Sequence, residues 1–299
     1  MVINFIKYRK ICFVFSGILI LVSLFSIFKF GLKFGTDFTG GSILEIEYKG
    51  ERPQNQAIKD VLAGIDLGEI TIQPAGDKSV ILRTKNITED THQQVLEKLK
   101  TGGELEEKRF ESIGPIIGQE LRDKTKIVVT LSLLAMLIYI AIAFKKVSRP
   151  VSSWQYGIAS LLILSNDILI ILGVFAILGS YYQVQVTIPV ITALLTVVGY
   201  AINNVVVVYD RIRENLLRER SLPFEEIANR AINQTLTRQM NTSLTTLFPL
   251  VAIFFLGGVT LKYFSLALIL GIVFGLYSSI FLAAPILVSW PKFKNRSTK

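Results

Sequence analysis

Six long apolar runs, near residues 11–30, 125–144, 155–178, 186–209, 240–261 and 264–289, alternate with polar segments along the chain. Each can cross about 30 Å of hydrocarbon at roughly 1.5 Å rise per residue, which predicts six membrane-spanning helices. Between the first two lies one polar stretch, about 42–122, in which the hydrophobic period changes. "SILEIEYK" alternates as a strand does, and "PQNQAIKDVLAGI" puts Ala57, Val61, Leu62 and Ile65 on one helical face. "EITIQ" and "SVILRTK" flank the turn "PAGDK" as the arms of a hairpin. "TEDTHQQVLEKLKTGG" opens on a partial capping pattern, Thr88 with Thr91 and Gln94, and stops at Gly102 and Gly103. "LEEKRFESIG" follows as a fourth strand. The order β-α-β-β-α-β predicts a ferredoxin-like plan. Such a lobe reads equally as a moving or gripping element and as a folded spacer.

Composition agrees with a membrane protein: 51% of the 299 residues are hydrophobic and the mean hydropathy is +0.50. The first apolar run follows Lys7, Arg9 and Lys10, as a secretory signal would. It is too long for one, however, and ends in "FKFGLKFG" rather than at small residues, so it predicts an uncleaved anchor. Of the 32 Lys and Arg, 16 fall in the N-terminal tail, the 145–150 turn, the 211–238 loop and the C-terminal tail. The short loops 179–187 and 256–263 hold one, Lys262. That asymmetry places both termini in the cytoplasm. The other 15 lie in 29–126 beside 17 Asp and Glu, so the outer domain is near neutral and the net +9 belongs to the cytoplasmic face. Its electrostatic partners are then anionic lipid headgroups of the bilayer; no motif that reads nucleic acid accompanies the charge. The expected organisation is a cytoplasmic tail 1–10, an anchor 11–30, an extracytoplasmic domain 31–124, spans 125–144, 155–178 and 186–209, a cytoplasmic loop 210–239, spans 240–261 and 264–289, and a tail 290–299. In fold class this is an all-α six-helix membrane bundle carrying an α+β ferredoxin-like domain.

Several chemistries lack their parts. Cys12 is the only cysteine and lies in the first apolar run, which excludes an intrachain disulfide and a thiolate metal site. His92, the only histidine, sits among polar residues and is expected to be solvated. No H-E-x-x-H, G-x-S-x-G or Walker loop occurs, so no hydrolase or ATPase, metal or cofactor is indicated.

The polar residues inside the apolar runs are costly. Asp167, in "LLILSNDILIILG", falls near the middle of its span, where insertion of an Asp costs about 2.5–3.5 kcal/mol, so it must face protein or water. Ser160 lies on the same face. Thr192, Thr196, Gly199 and Asn203 form one stripe on the fourth span, next to Asn204, and Arg238, Asn241 and Thr245 form another at the head of the fifth. Either these faces are interhelical hydrogen-bonding glue, worth about 0.6 kcal/mol per bond, or they form a working polar site. Arg238 also lies close enough to the cytoplasmic boundary to snorkel. On the last span Gly271, Gly275, Ser279 and Ala283 recur every fourth residue, a ridge that admits a close helix. Pro249 and Pro285 are candidate kink points.

"GLKFGTDFTGGS" (31–42) after the first span, "IGPIIGQELR" (113–122) before the second, "TVVGYAINNVVVVYDRIREN", "TLTRQMNTSLTTL" and "GLYSSIFLAAPIL" resemble, in collinear order, the motifs of the SecF family of protein-export membrane proteins. The signature-loop residues of the resemblance are Gly35, Asp37, Gly40 and Gly41. It implies one half-unit of the resistance-nodulation-division architecture, a cell-membrane location, and no enzymatic activity. It further implies an auxiliary subunit that pairs with a SecD-like partner beside the SecYEG channel. There it would use the proton-motive force to draw out a secreted polypeptide that the SecA pathway has pushed in. The family's proton relay corresponds to Arg238 and to the position of Asn204, where the family commonly carries Asp. An amide does not titrate near neutral pH. The acceptor is therefore expected on the partner or at Asp167; Asp210 is expected to pair locally with Arg213 or Arg211. Asp37 reads either as an acceptor of backbone N–H groups in its own turn or as a contact for the emerging polypeptide. A passive scaffold for the partner and a small-molecule exporter of the same superfamily are the alternatives.

Overall fold

The computed structural model describes residues 3–143, 151–219 and 221–296. The expected basic turn 145–150 and the end of the C-terminal tail lie outside the described residues. In chain order the elements are α1 (Arg9–Phe30), α2 (Thr36–Thr39), β1 (Gly41–Tyr48), α3 (Asn55–Leu62), β2 (Thr71–Pro74), β3 (Ser79–Thr84), α4 (Glu89–Lys100), β4 (Leu105–Ile113), α5 (Pro115–Ala143), α6 (Ser153–Tyr182), α7 (Ile188–Arg218), α8 (Phe224–Leu256), α9 (Val259–Ser278), a π-helical turn (Ser279–Ala283) and α10 (Ala284–Arg296). They form two compact units. One comprises Leu32–Val128 with Leu178–Ile188; the other comprises Met1–Gly31, Val129–Ile177 and Pro189–Lys299.

Ile6–Phe30, Trp154–Tyr182, Ile188–Arg218, Phe224–Leu256 and Leu261–Trp290 are, among the described residues, five helices long and apolar enough to cross a membrane. Helix α5 covers the remaining apolar run, whose last residue, 144, is outside the described set. The segment 210–239 is mostly helix, since α7 continues to Arg218 and α8 begins at Phe224.

Helix α1 turns its hydroxyls inward: Ser16, Ser23 and Ser26 are buried while Ile11, Leu21, Phe25 and Phe28 are exposed. In water this would be inside out. In hydrocarbon there is no hydrophobic drive between helices, so small residues pack inside and bulky apolar ones face lipid. A side chain at Gly173 of α6 would run into Ser23, which shows how close that crossing is. Helix α7 has a continuous buried face, from Val190 through Tyr209 to Asn215. Gly271 and Gly275 of α9 pack on it at Val197 and Ala201, and Tyr209 donates to the carbonyl of Ala283 at 3.3 Å. The π turn precedes Pro285, whose missing N–H already breaks the regular ladder. Pro249, by contrast, lies within the uninterrupted α8.

The other unit carries a four-stranded antiparallel sheet in the order β2-β3-β1-β4. A bulge in the β1–β4 pairing falls at Glu45/Ile46. Leu44, Ile46, Tyr48, Val80 and Leu82 meet Ile58 and Leu62 of α3 and Val95, Leu96 and Leu99 of α4 in one core. His92 belongs to that core, not to solvent. It is 3% exposed, its ring stacks on Phe110 at 3.7 Å, and Nδ1 lies 3.2 Å from Glu89 Oε1. The cause is helical period: His92 stands three and four residues before Val95 and Leu96, on the face that α4 buries.

Candidate functional site

Three groups of residues stand out, and the first is the signature loop. After α1 ends at Gly31, Lys33–Gly35 forms a parallel bridge with the segment that leads into α7. Val186 N donates to Lys33 O at 2.7 Å and Gly35 N to Val186 O at 2.9 Å. Lys33 Nζ also donates to Gln183 Oε1 at 2.6 Å. A Cβ on Gly35 would lie 2.8 Å from Thr187 Cγ2, so the approach needs glycine. Asp37 accepts no bond from its own turn. Its Oδ2 takes the backbone N–H of Ile188, the first residue of α7, at 2.8 Å. The first amides of a helix have no intrahelical acceptor, and a side-chain cap there contributes about 0.5–2 kcal/mol. Gly40 and Gly41 both have positive φ, 72° and 139°. A Cβ on Gly40 would strike Pro115 of α5, and one on Gly118 would lie 2.7 Å from Gly40 N. Asp37 also lies within the electrostatic field of Arg109, whose pKa is raised first by its hydrogen bond to Glu111 and further by Glu45 and Asp37.

The second group is buried in the helical unit. Asp167 on α6 is 1% exposed. Its Oδ1 accepts from Ser278 Oγ at 2.5 Å and from Asn166 Nδ2 at 3.0 Å, and Asn166 Oδ1 accepts from Ser16 Oγ at 2.6 Å. The cluster joins α1, α6 and α9. Asp167 Oδ2 has no hydrogen-bond partner among the described residues and faces Gly275, where a Cβ would stand 3.9 Å away. Ser160 donates to Tyr156 O of its own helix at 2.9 Å and also bonds to the Tyr209 hydroxyl of α7. On α8, Gln239 is 2% exposed and accepts from Ser279 Oγ at 2.5 Å. Tyr200 OH lies 3.2 Å from Ser243 Oγ.

The third group is a pair of uncovered stripes. Thr192, Thr196, Gly199 and Asn203 of α7 are exposed, as are Arg238, Asn241 and Thr245 of α8. The inward face of α8 is Thr235–Gln239–Ser243, one residue round from the stripe that the sequence suggested. Asn203 and Asn204 part company: Asn203 is exposed, while Asn204 is 2% exposed and its Nδ2 has no hydrogen-bond partner among the described residues. Among the described residues no hydrogen bond joins Asn204 to Arg238. Arg238 instead lines a cavity of about 460 Å³ with Val206, Asp210, Glu214 and Thr235. Asp210 lies 3.7 Å from Arg213, and Arg211 is bonded to Glu214 at 2.6 Å.

The burial of Asp167 follows from the cost of a carboxylate in lipid. Asn166, Ser16, Ser278 and Gln239 were missed in the sequence. Small hydroxyls and amides are ordinary in membrane helices, and the only signal was Asn166 beside Asp167.

Comparison with known proteins gives a consistent relationship. Residues 92–292 match the family described as protein export membrane protein SecD/SecF, C-terminal, and residues 25–51 match the SecD/SecF GG motif. The chain is 38% identical to the protein translocase subunit SecF of Thermobaculum terrenum, covering 96% of this chain and 94% of the relative. It is 33% identical to SecF of Synechocystis over 99% of this chain and 96% of the relative, and 36% identical to that of Vibrio alginolyticus over 94% and 88%. The crystal structure of SecDF from Thermus, a translocon-associated membrane protein, superposes with a TM-score of 0.84 at 33% identity, covering 98% of this chain. This chain spans 39% of that one.

Proposed function

The chain belongs to the SecD/SecF family of protein-export membrane proteins, and from that premise we propose that it is a multi-pass accessory subunit of the Sec protein translocase. It works with a SecD-like partner beside a SecYEG channel, downstream of SecA, and uses the proton-motive force to promote outward movement of a secreted polypeptide. The reading includes six spans with both termini in the cytoplasm and a ferredoxin-like outer lobe. The β-α-β-β-α-β order and the β2-β3-β1-β4 sheet support the lobe.

One observation carries the proposal: the polar stripes of α7 and α8 are exposed in this chain. The Asn203 amide facing hydrocarbon would be left without partners at a cost of several kcal/mol, so in the membrane these faces require protein or water against them. A second half-unit of SecD type would cover them, and the chain's 39% share of a SecDF chain fits one half of such a pair.

Coupling to a proton gradient needs a group whose protonation differs between two arrangements of the helices. A charge crossing the full potential supplies about 2.3 kcal/mol per 100 mV, enough to bias such an equilibrium. Asn204 cannot be that group. Asp167 has one oxygen committed to Ser278 and Asn166 and the other open, which suits a carboxylate that gains and loses a proton. Arg238, placed with Asp210 and Glu214 around one cavity, is the fixed cation of the relay, and a carboxylate on the partner completes it. Asn204 also favours a second reading, in which this half braces a partner that alone carries the proton.

The test is reconstitution of the two-subunit complex with the channel in vesicles, with and without a proton gradient. The gradient should speed export, and Arg238→Ala should abolish that gain. Export that ignores the gradient while still needing this chain would leave the brace reading standing. Failure to co-purify with a SecD-like subunit would overturn both.

A further inference from the structure

We infer that Asp37 is a positioning residue that tethers the signature loop to the first turn of α7, so that displacement of α7 is passed through the loop to the outer sheet. The inference rests on the reading of the chain as a moving Sec subunit, but its geometry does not. Eight residues, Phe34–Gly41, carry contacts in three directions. Toward α7 they offer the Phe34–Val186 bridge, the close packing of Gly35 on Thr187 and the Asp37 cap on Ile188. Toward α5 they offer Gly40, in near backbone contact with Pro115 and Gly118. Toward the sheet they lead straight into β1, which starts at Gly41 and is paired on both sides.

The piece between these attachments is stiff. Residues Thr36–Thr39 form one helical turn, closed by Gly40 N to Thr36 O at 2.9 Å and by Thr39 Oγ1 to Gly35 O at 3.2 Å. A pull on the start of α7 therefore cannot be absorbed by slack between α7 and β1. Asp37 is a side chain of the turn that bonds to α7, and a carboxylate suits that place because the helix N-terminus carries partial positive charge. A contact for the exported chain would need Asp37 oxygens that point to solvent; Oδ2 is spent on Ile188.

Two variants separate the tether from a polypeptide contact. Asp37→Ala removes the acceptor. Ile188→Pro removes the donor and keeps the carboxylate, at a position where the first turn of a helix accepts proline. In the assembled complex, hydrogen exchange of the Ile188 amide should become about fivefold to tenfold faster in Asp37→Ala, in keeping with the loss of a helix cap. Both variants should slow gradient-driven export while abundance and co-purification stay normal, and Asp37→Asn, which still offers an acceptor oxygen, should recover part of the rate. Unchanged exchange at Ile188 in Asp37→Ala would overturn the tether. So would slow export in Asp37→Ala with normal export in Ile188→Pro, which would assign Asp37 to the polypeptide. Deletion of the whole chain serves as reference: if it leaves export unchanged, the Sec reading has failed and the exchange measurement alone decides the tether.

Discussion

Ser278 Oγ donates to Asp167 Oδ1 at 2.5 Å, joining α9 to α6 at the one carboxylate that lies deep within an apolar run. The bond holds the acid in place whether or not it carries charge, because a protonated carboxyl keeps an acceptor oxygen. Position and charge can therefore be tested separately.

Asp167→Asn keeps the shape and an acceptor for Ser278. The expected outcome is normal membrane abundance with loss of the gradient-dependent part of export. Asp167→Leu takes the shared acceptor from Asn166 and Ser278, leaving them the longer 3.3 Å bond to each other, at a cost of about 1–3 kcal/mol. It should lower abundance and the unfolding temperature in detergent. Thermal scans of both variants beside export assays make the comparison.

Gln239 and Arg238 are neighbours in sequence with opposite surroundings. Gln239→Leu removes the bond that ties α8 to Ser279, leaving that hydroxyl only the Leu276 carbonyl of its own helix, and should destabilise the isolated chain by about 0.5–1.5 kcal/mol. Arg238→Ala, at an exposed position, should shift stability by no more than about 0.5 kcal/mol while removing the gradient-dependent part of export. Unfolding in detergent reads the first effect and export the second.

Glycines on two faces should behave differently. Gly271→Ala puts a methyl into Val197 and should cost about 1–3 kcal/mol. Gly199 has nothing within 4 Å of its missing Cβ, so Gly199→Ala should leave the isolated chain as stable or more so, by about 0.5–1 kcal/mol. Gly199→Leu should nonetheless weaken co-purification with the SecD-like partner, since it thickens the stripe proposed to meet it.

The outer lobe should respond to acid only weakly. Asp66 is held below its ordinary 3.8 by its hydrogen bond to Lys85, and Glu104 below 4.5 by its bond to Lys49. A depressed carboxylate adds stability that is complete above its unfolded pKa and is lost as pH falls through the folded value. Both groups are fully exposed, so salt should erase the effect. Hydrogen exchange across β1 and β3, followed at falling pH in low and high salt, should show the difference in low salt alone.

Much of the architecture was readable from pattern. An apolar run of about 20 residues has few fates other than a membrane helix, and alternation in "SILEIEYK" coincides with β1, Gly41–Tyr48. The cost of a carboxylate in lipid singled out Asp167 without any structure. His92 was misjudged because its neighbours in sequence are polar, although Val95 and Leu96 one turn later marked the same face.

The facing of α8 was not readable, because Arg238–Asn241–Thr245 and Thr235–Gln239–Ser243 are polar stripes about 100° apart and helical period favours neither. Packing chose the second: Thr235, Gln239 and Ser243 carry small or flexible polar groups that fit against Ser279 and Tyr200, while Arg238 does not. Asp37 is the sharper case. Its motif announced a tight loop, but its donor stands 151 residues away at the head of α7. Local composition sets what each segment can form, since periodicity and transfer cost act within a few residues. Which polar group meets which depends on how helices far apart in sequence are brought together.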